Sequence, residues 1–124
     1  MKKIIFDTNF LIDCFRFRVD FLKEIEEKIE KPFKFLVIDL SLKEIGAIAK
    51  TRKKEAKYAR LALEFAKKKC EIVELKAKNA DEAILIFSDK DTFVATNDKK
   101  LRKSLKALNV KNIYLKSKKK VAIG

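Results

Sequence analysis

The chain contains no histidine, and only two glycines, one proline and two cysteines among its 124 residues. Without histidine, Ser-His-Asp triads, Cys-His dyads and histidine-held zinc are excluded. Cys14 and Cys70 form no C-x-x-C motif, so a zinc ribbon and a disulfide scaffold are excluded as well. An enzyme built from this sequence must therefore use carboxylates, lysines, hydroxyls or metals held by oxygen.

Long apolar runs are also missing, and none approaches the roughly 20 residues of a membrane span. The first apolar run, residues 4–6, ends at Asp7, which is not the pattern of a signal peptide. We therefore expect a cytoplasmic protein that has no membrane partner and works in a reducing compartment. Because glycine and proline are rare and no linker is visible, we expect one domain over residues 1–124.

Positive charge is abundant and unevenly distributed. The net charge is +13, from 31 basic and 18 acidic residues. The stretch from Lys99 to Gly124 holds ten basic residues and no acid, so it carries +10 while residues 1–98 carry +3. Such a surface attracts nucleic acid, although a lysine-rich surface can also serve solubility alone. The charge favours a nucleic-acid partner.

Short apolar runs alternate with amphipathic segments along the chain. The predicted strands are Lys2–Phe6, Phe35–Ile38, Glu71–Leu75, Thr92–Thr96 and Asn112–Leu115. Helical spacing predicts helices between them, including one that Ser41 opens and a long charged one over Lys53–Lys69. This alternation predicts an α/β fold, a three-layer α/β/α sandwich around a mainly parallel sheet of about five strands. The basic tail, residues 116–124, is expected to fray or to add a short edge strand.

Acidic residues follow the predicted strands. Asp7 comes directly after the first strand and Asp98 follows the fourth strand after Asn97, while Glu44 and Asp81 lie in first turns of predicted helices. Because ligands in parallel sheets bind at the carboxyl ends of the strands, we expect these acids to lie at one edge. Each acid also has a structural alternative. Asp7 and Asp98 can cap helices, Glu44 can complete a capping box with Ser41, and Asp81 can be a solvated helix start.

Clustered carboxylates repel one another unless a cation lies among them. A site without histidine or cysteine ligands suits Mg²⁺ or Mn²⁺, because these hard ions prefer oxygen. We therefore expect a divalent metal cofactor. Two further acids, Asp89 and Asp91, precede the fourth strand and are assigned to a turn.

Several motifs resemble those of the PIN domain family. I-I-F-D-T-N-F-L at residues 4–11 resembles the opening motif of the family, and V-A-T-N-D-K-K-L-R at residues 94–102 resembles its T-N-D-x-x-L motif. Residues 42–45 and 80–85 match the helices of its second and third acids. The resemblance covers nearly the whole chain. It is closest to small prokaryotic or archaeal members, which include VapC-type toxins and relatives of ribosomal-RNA-processing nucleases.

The resemblance implies a metal-dependent endoribonuclease that hydrolyses RNA phosphodiester bonds by attack of water. The acids implied as catalytic and metal-binding are Asp7, Glu44, Asp81 and Asp98. Asn9 and Thr96 are implied as polar supports. The choice between Asp81 and Glu82 stays open, because Glu82 also completes a cap with Asn79. The implied partners are RNA and either an antitoxin or an RNA-processing protein, and a homodimer is left open.

Basic side chains beside the predicted crevice are candidates for contacts with RNA phosphates. They are Lys43, Lys99, Lys100 and Arg102. The alternative function is a non-catalytic RNA-binding PIN domain, in which the basic C-terminal region binds RNA and the acids only cap helices. In that case RNA binding would persist in EDTA and no cleavage would appear with Mn²⁺.

Overall fold

The computed structural model describes every residue from Met1 to Gly124. Its strands are β1 (Lys2–Phe6), β2 (Phe33–Ile38), β3 (Glu71–Val73), β4 (Thr92–Ala95), β5 (Lys111–Lys116) and β6 (Lys120–Ile123). Its helices are α1 (Thr8–Arg16), α2 (Phe21–Lys28), α3 (Asp39–Ala49), α4 (Ala56–Lys69), α5 (Ala80–Phe87) and α6 (Lys99–Ala107). None of the helices is long and apolar enough to cross a bilayer.

The six strands form one sheet in the order β3-β2-β1-β4-β5-β6, which is parallel except for β6. From β1 the chain moves outward to β2 and β3, and then returns to place β4 and β5 on the other side of β1. Strand order therefore reverses between β1 and β4. The carboxyl ends of these two strands form the crevice where ligands bind in sheets of this kind.

Helices cover both faces of the sheet, so the predicted three-layer α/β/α sandwich is confirmed. Side chains alternate along β1. Ile4 and Phe6 pack in the core beneath α1, α2 and α4, whereas Ile5 packs in the opposite core beneath α5 and α6. All three are fully buried, which explains why residues 4–6 form a continuous apolar run in the sequence.

A cluster of aromatic rings fixes the carboxyl end of β1. The ring centre of Phe6 lies 5.3–6.0 Å from four other phenylalanine rings, those of Phe10, Phe21, Phe35 and Phe65. These rings come from α1, α2, β2 and α4. Because Phe6 directly precedes the first acid of the crevice, this core also determines where that acid lies.

Two predicted helix starts are wrong. Helix α3 begins at Asp39, directly after β2, so Ser41 is buried inside the helix and does not open it. The predicted capping box with Glu44 is therefore not formed. Helix α4 begins at Ala56, later than the predicted Lys53, and residues 51–55 form an irregular connection. Charge alone did not distinguish a lysine-rich loop from a lysine-rich helix.

The C-terminal tail is ordered as a sixth strand. A tight hairpin turn joins β5 to β6, with Ser117 and Lys118 both in the left-handed region (φ 55° and 56°). Val121 is buried against the core, and the backbones of Asn112 and Gly124 exchange two hydrogen bonds. Of the two outcomes expected for residues 116–124, the structure therefore shows the edge strand.

Asp89 and Asp91 lie in the turn before β4, as predicted. The Asp91 N–H donates to Oδ1 of Asp89 (2.9 Å), and the Asp89 N–H donates to Oγ1 of Thr92 (3.1 Å). Lys3 forms an ion pair with Asp89 (2.6 Å), so this acid is tied to the amino end of the sheet. Neither residue lines the crevice at the opposite edge.

We predict that Phe6→Ala lowers the free energy of unfolding by about 3–5 kcal/mol, because it empties the centre of the aromatic cluster. Urea denaturation followed by circular dichroism measures the change. Leu108→Ala is the matched control, because Leu108 is 57% exposed at the end of α6. Equal losses in the two variants would contradict the role given to the cluster.

Candidate active site

A cleft at the carboxyl ends of β1 and β4 brings the four predicted acids together. Asp7, Glu44, Asp81 and Asp98 all line it. Two acids that the sequence did not single out, Asp13 and Glu55, line it as well, together with Thr8, Asn9, Ile12 and Ile48. No lysine or arginine lies among the lining residues, so the cleft is strongly acidic in a protein whose net charge is +13.

Asp7 is the most enclosed of these acids and is 3% exposed. It occupies the N-cap position of α1, and its Oδ1 accepts a hydrogen bond from the Thr8 N–H (2.9 Å). Its Oδ2 accepts from Oγ1 of Thr96 (2.7 Å) and from Nδ2 of Asn9 (3.0 Å). Asp7 therefore caps a helix and lines the cleft at once, and the two interpretations of this residue are compatible.

The Thr96 hydroxyl connects Asp7 to Asp98. Thr96 follows β4 and is completely buried. Its Oγ1 donates to Asp7 and accepts a hydrogen bond from the Asp98 N–H (3.2 Å). Oδ1 of Asp98 caps α6 by accepting from the N–H groups of Lys100 (2.8 Å) and Leu101 (3.3 Å). Its second oxygen, Oδ2, has no hydrogen-bond partner within the protein.

Glu44 reaches the cleft from the second turn of α3. Its Oε1 accepts a hydrogen bond from Oγ1 of Thr8 (3.1 Å), so a single threonine contacts both Glu44 and Asp7. Thr8 also lies 3.3 Å from the Ser41 carbonyl oxygen, which links α1 to α3. The partner of Glu44 is thus a side chain of another helix, and not the N-cap amide that a capping box would provide.

Of the two neighbouring acids in α5, only Asp81 lines the cleft. Asn79 caps this helix by accepting a hydrogen bond from the Glu82 N–H (2.9 Å). The side chain of Asp81 makes no hydrogen bond within the protein. Its carboxylate is therefore free to act on a ligand.

Comparison with known proteins agrees with this geometry. The sequence profile of a family described as "PIN like domain" matches residues 4–118. Ribonuclease VapC4 of Methanocaldococcus jannaschii is 34% identical over 124 residues, which cover 96% of this chain and 94% of the relative. The chain belongs to the PIN domain family.

Solved structures show the same fold. The structure of the PIN domain endonuclease Utp24 superimposes with a TM-score of 0.79 at 22% identity and covers 98% of this chain and 90% of that one. A domain of a functionally unknown protein from Methanocaldococcus jannaschii superimposes with a TM-score of 0.58 at 16% identity, covering 94% and 93%. At these identities the likeness concerns the fold of the PIN domain alone.

The acids of this PIN domain affect one another electrostatically. Burial raises the pKa of Asp7 to about 6, and the charges of Asp81 and Glu44 add to the rise, while the hydrogen bonds from Thr96 and Thr8 oppose it. Burial raises the pKa of Asp81 as well, and the charge of Asp98 adds to that rise. The acids therefore lie within interaction distance of one another, and the cleft favours a bound cation.

Asp13 is a site residue that the sequence interpretation missed. Its Oδ2 accepts a hydrogen bond from Nδ2 of Asn97 (3.0 Å). Oδ1 of Asn97 accepts from the Leu115 N–H (2.8 Å), and its N–H donates to Oδ1 of Asn9 (2.9 Å). Asn9 and Asp13 are four residues apart on α1, so this spacing was an available signal. No comparable signal pointed to Glu55, which lies in the unpredicted connection before α4.

The predicted phosphate contacts differ in their surroundings. Lys43, Lys99 and Lys100 are exposed, and the charge of Lys100 opposes the rise in the pKa of Asp81, so this lysine lies near the cleft. Arg102 is half-buried, because its guanidinium stacks 3.7 Å from the ring centre of Tyr114 and donates to Oδ1 of Asn112. The structure therefore gives Arg102 a packing role between α6 and β5.

We predict that, without metal, Asp7 makes stability fall as pH rises from about 4 to above 6. The folded state holds the Asp7 proton more tightly than the unfolded state, whose pKa is 3.8, so ionisation favours unfolding. The whole effect is about 3 kcal/mol, from a pKa rise of about two units. Asp7→Asn should therefore gain stability relative to wild type as pH increases.

Urea denaturation in EDTA between about pH 4 and pH 8 measures this difference. Asp91→Asn, which removes a carboxylate from the exposed turn outside the cleft, is the matched control. If the difference between wild type and Asp7→Asn stayed constant across this range, ionisation of Asp7 would not oppose folding.

Proposed function

We propose that this PIN domain is a metal-dependent endoribonuclease that hydrolyses RNA phosphodiester bonds. The observation that carries the proposal is the single cleft at the strand-order reversal, where six carboxylates gather without any nitrogen or sulfur ligand. The 34% identity to a protein named as a ribonuclease supports RNA as the substrate. The net charge of +13 suits a polyanionic substrate.

The cleft fits a hard divalent cation, Mg²⁺ or Mn²⁺. All its ionisable groups are carboxylates, and burial, with a smaller contribution from neighbouring carboxylates, raises the pKa of both Asp7 and Asp81. No three acidic side chains already form a closed set of metal ligands. Mg²⁺ tolerates this arrangement, because it is usually held by one or two carboxylates and completes its shell with water and phosphate oxygens.

Asp7 and Asp98 would hold the ion, and Asp81 and Glu44 would complete its surroundings. A bound ion would lower the pKa of a coordinated water and stabilise negative charge on the scissile phosphate. The hydroxyls of Thr96 and Thr8 keep the carboxylates of Asp7 and Glu44 in fixed orientations. Asp81 has both oxygens free, so it can orient the attacking water or accept its proton. Lys43, Lys99 and Lys100 would contact phosphates beside the cleft.

We propose that the protein acts in the cytoplasm. The nuclease would act either as a toxin held in check by an antitoxin or as an RNA-processing enzyme with a protein partner. Both roles use the same acidic cleft, so the biochemical tests below apply to either. Purification of the tagged protein from its own cells, with identification of bound polypeptides, separates them.

Asp7→Asn should reduce Mn²⁺-dependent cleavage of single-stranded RNA by about 10³-fold or more, because losing this carboxylate removes several kcal/mol of charge stabilisation. Gel analysis of a labelled RNA measures the rate, with EDTA as the metal-free reference. Asp91→Asn should cleave at the wild-type rate. Wild-type cleavage by Asp7→Asn, in a preparation free of contaminating nuclease, would refute the proposal.

The same assay decides the alternative of a non-catalytic RNA-binding domain. That alternative requires wild-type protein to bind RNA equally well in EDTA and in Mn²⁺, and to leave the RNA intact in both. Cleavage that depends on Mn²⁺ and on Asp7 excludes it.

Thr96→Val should lower cleavage by about 10- to 100-fold, as is common when a residue that orients metal ligands is replaced. The valine keeps the shape of the side chain but removes the hydroxyl shared by Asp7 and the Asp98 N–H. Thr96→Ser, which retains the hydroxyl, is the control and should stay within a few-fold of wild type. Equal losses in the two variants would mean that packing of the methyl group matters, and not the hydrogen bond.

A further inference from the structure

A second charged feature lies outside the acidic cleft, on the side of the molecule formed by α1 and the start of α4. Three adjoining depressions share Tyr58 as a lining residue. We call this surface the Tyr58 groove and define it by Arg16, Lys53, Lys54, Lys57, Tyr58 and Arg60. It lies far along the chain from the basic C-terminal region that the sequence emphasised.

The Tyr58 groove is joined to the acidic cleft. Glu55 lines the depression formed by Arg16, Lys54 and Tyr58, and it also lines the cleft that contains Asp7. By contrast, the depression lined by Lys99, Arg102, Lys103 and Lys106 shares no lining residue with the cleft. The Tyr58 groove therefore offers an extended ligand a path that continues into the acids.

The cations of the groove are not neutralised by neighbouring acids. Between Lys50 and Arg60 the sequence has six basic residues and one acid. The three salt bridges of the molecule are formed by Lys3, Lys34 and Lys68, none of which belongs to the groove. Glu64, an acid at the far end of the groove, is paired with Lys68. The positive charge is thus available to an anionic ligand.

We propose that the Tyr58 groove binds the phosphate backbone of a single-stranded RNA and leads it into the acidic cleft. The proposal rests on the proposed function for the identity of the polyanion. A row of lysines and arginines without acidic partners, around a half-exposed aromatic ring, is typical of surfaces that follow a single strand. Continuity with the cleft favours RNA over an acidic protein segment. An RNA chain whose scissile bond lies in the cleft extends beyond it, and the adjoining groove is a surface along which it can lie.

The test compares two variants that each remove three positive charges. Lys53, Lys54 and Lys57 are exposed, and their ammonium groups make no hydrogen bond or ion pair, so K53Q/K54Q/K57Q should fold normally. The matched control is K28Q/K31Q/K90Q, in which three exposed lysines at the opposite edge of the sheet are replaced. Urea midpoints verify that both variants are folded.

Binding of a fluorescein-labelled oligouridylate is measured by anisotropy in EDTA, where no cleavage occurs. K53Q/K54Q/K57Q should bind about 10- to 100-fold more weakly than wild type at low salt. The slope of log affinity against log salt should fall in magnitude by about 2, since each phosphate contact contributes about 0.7 for a single strand. The control variant should change affinity by less than about 3-fold.

Equal losses of affinity in the two variants would overturn the proposal, because binding would then follow net charge alone. If polyglutamate displaced the labelled oligouridylate as effectively as unlabelled RNA does, the proposal would also be overturned, in favour of an acidic protein partner. Cleavage with Mn²⁺ is scored separately. If wild type cleaves RNA but the groove variant binds normally, the groove proposal fails alone. If the groove variant loses binding but wild type never cleaves, the proposed function fails alone.

Discussion

The pairing of β1 with β4 is the constraint on which the cleft depends. The hydrogen bond from the Asp7 N–H to the Ala95 carbonyl oxygen (2.9 Å) extends the parallel ladder one residue beyond β1. It places Asp7 beside Thr96, whose hydroxyl then reaches both Asp7 and the Asp98 backbone. A slip of one residue would turn every side chain of β1 to the other face and separate these groups. The register therefore determines which side chains are neighbours in the cleft.

The molecule separates its charges over short distances. Six acids share a cleft without a lysine or arginine in its lining, while unpaired cations line the neighbouring groove. Burial, together with the charges of Asp81 and Glu44, raises the pKa of Asp7, so the ionised form of this residue is disfavoured in the cleft. The arrangement persists because the aromatic cluster around Phe6 and the apolar core beneath α5 and α6 hold the strand ends in place.

Local patterns in the sequence were sufficient to predict the fold and the location of the acids that follow strands. Asp7 directly follows an apolar run and Asp98 lies three residues after another, so their place at the sheet edge could be predicted from the order of residues alone. Ser41 and Glu44 show the limit, since the capping-box spacing was present but the helix had already started at Asp39. The location of Glu55 and the groove lysines could not be predicted from the sequence, because only the packing of α4 on α1 and α3 brings the irregular connection beside the cleft.

Asp7 and Asp98 each support the first turn of a helix with the same carboxylate that faces the cleft. Only short polar side chains reach the first amides of a helix, and a glutamate would carry its oxygens one methylene too far. Glu44 stands inside a helix and needs the longer reach to meet Thr8. Side-chain length is thus fixed at each of these positions. An exchange of aspartate for glutamate at either strand end would therefore disturb the start of a helix and the lining of the cleft in a single step.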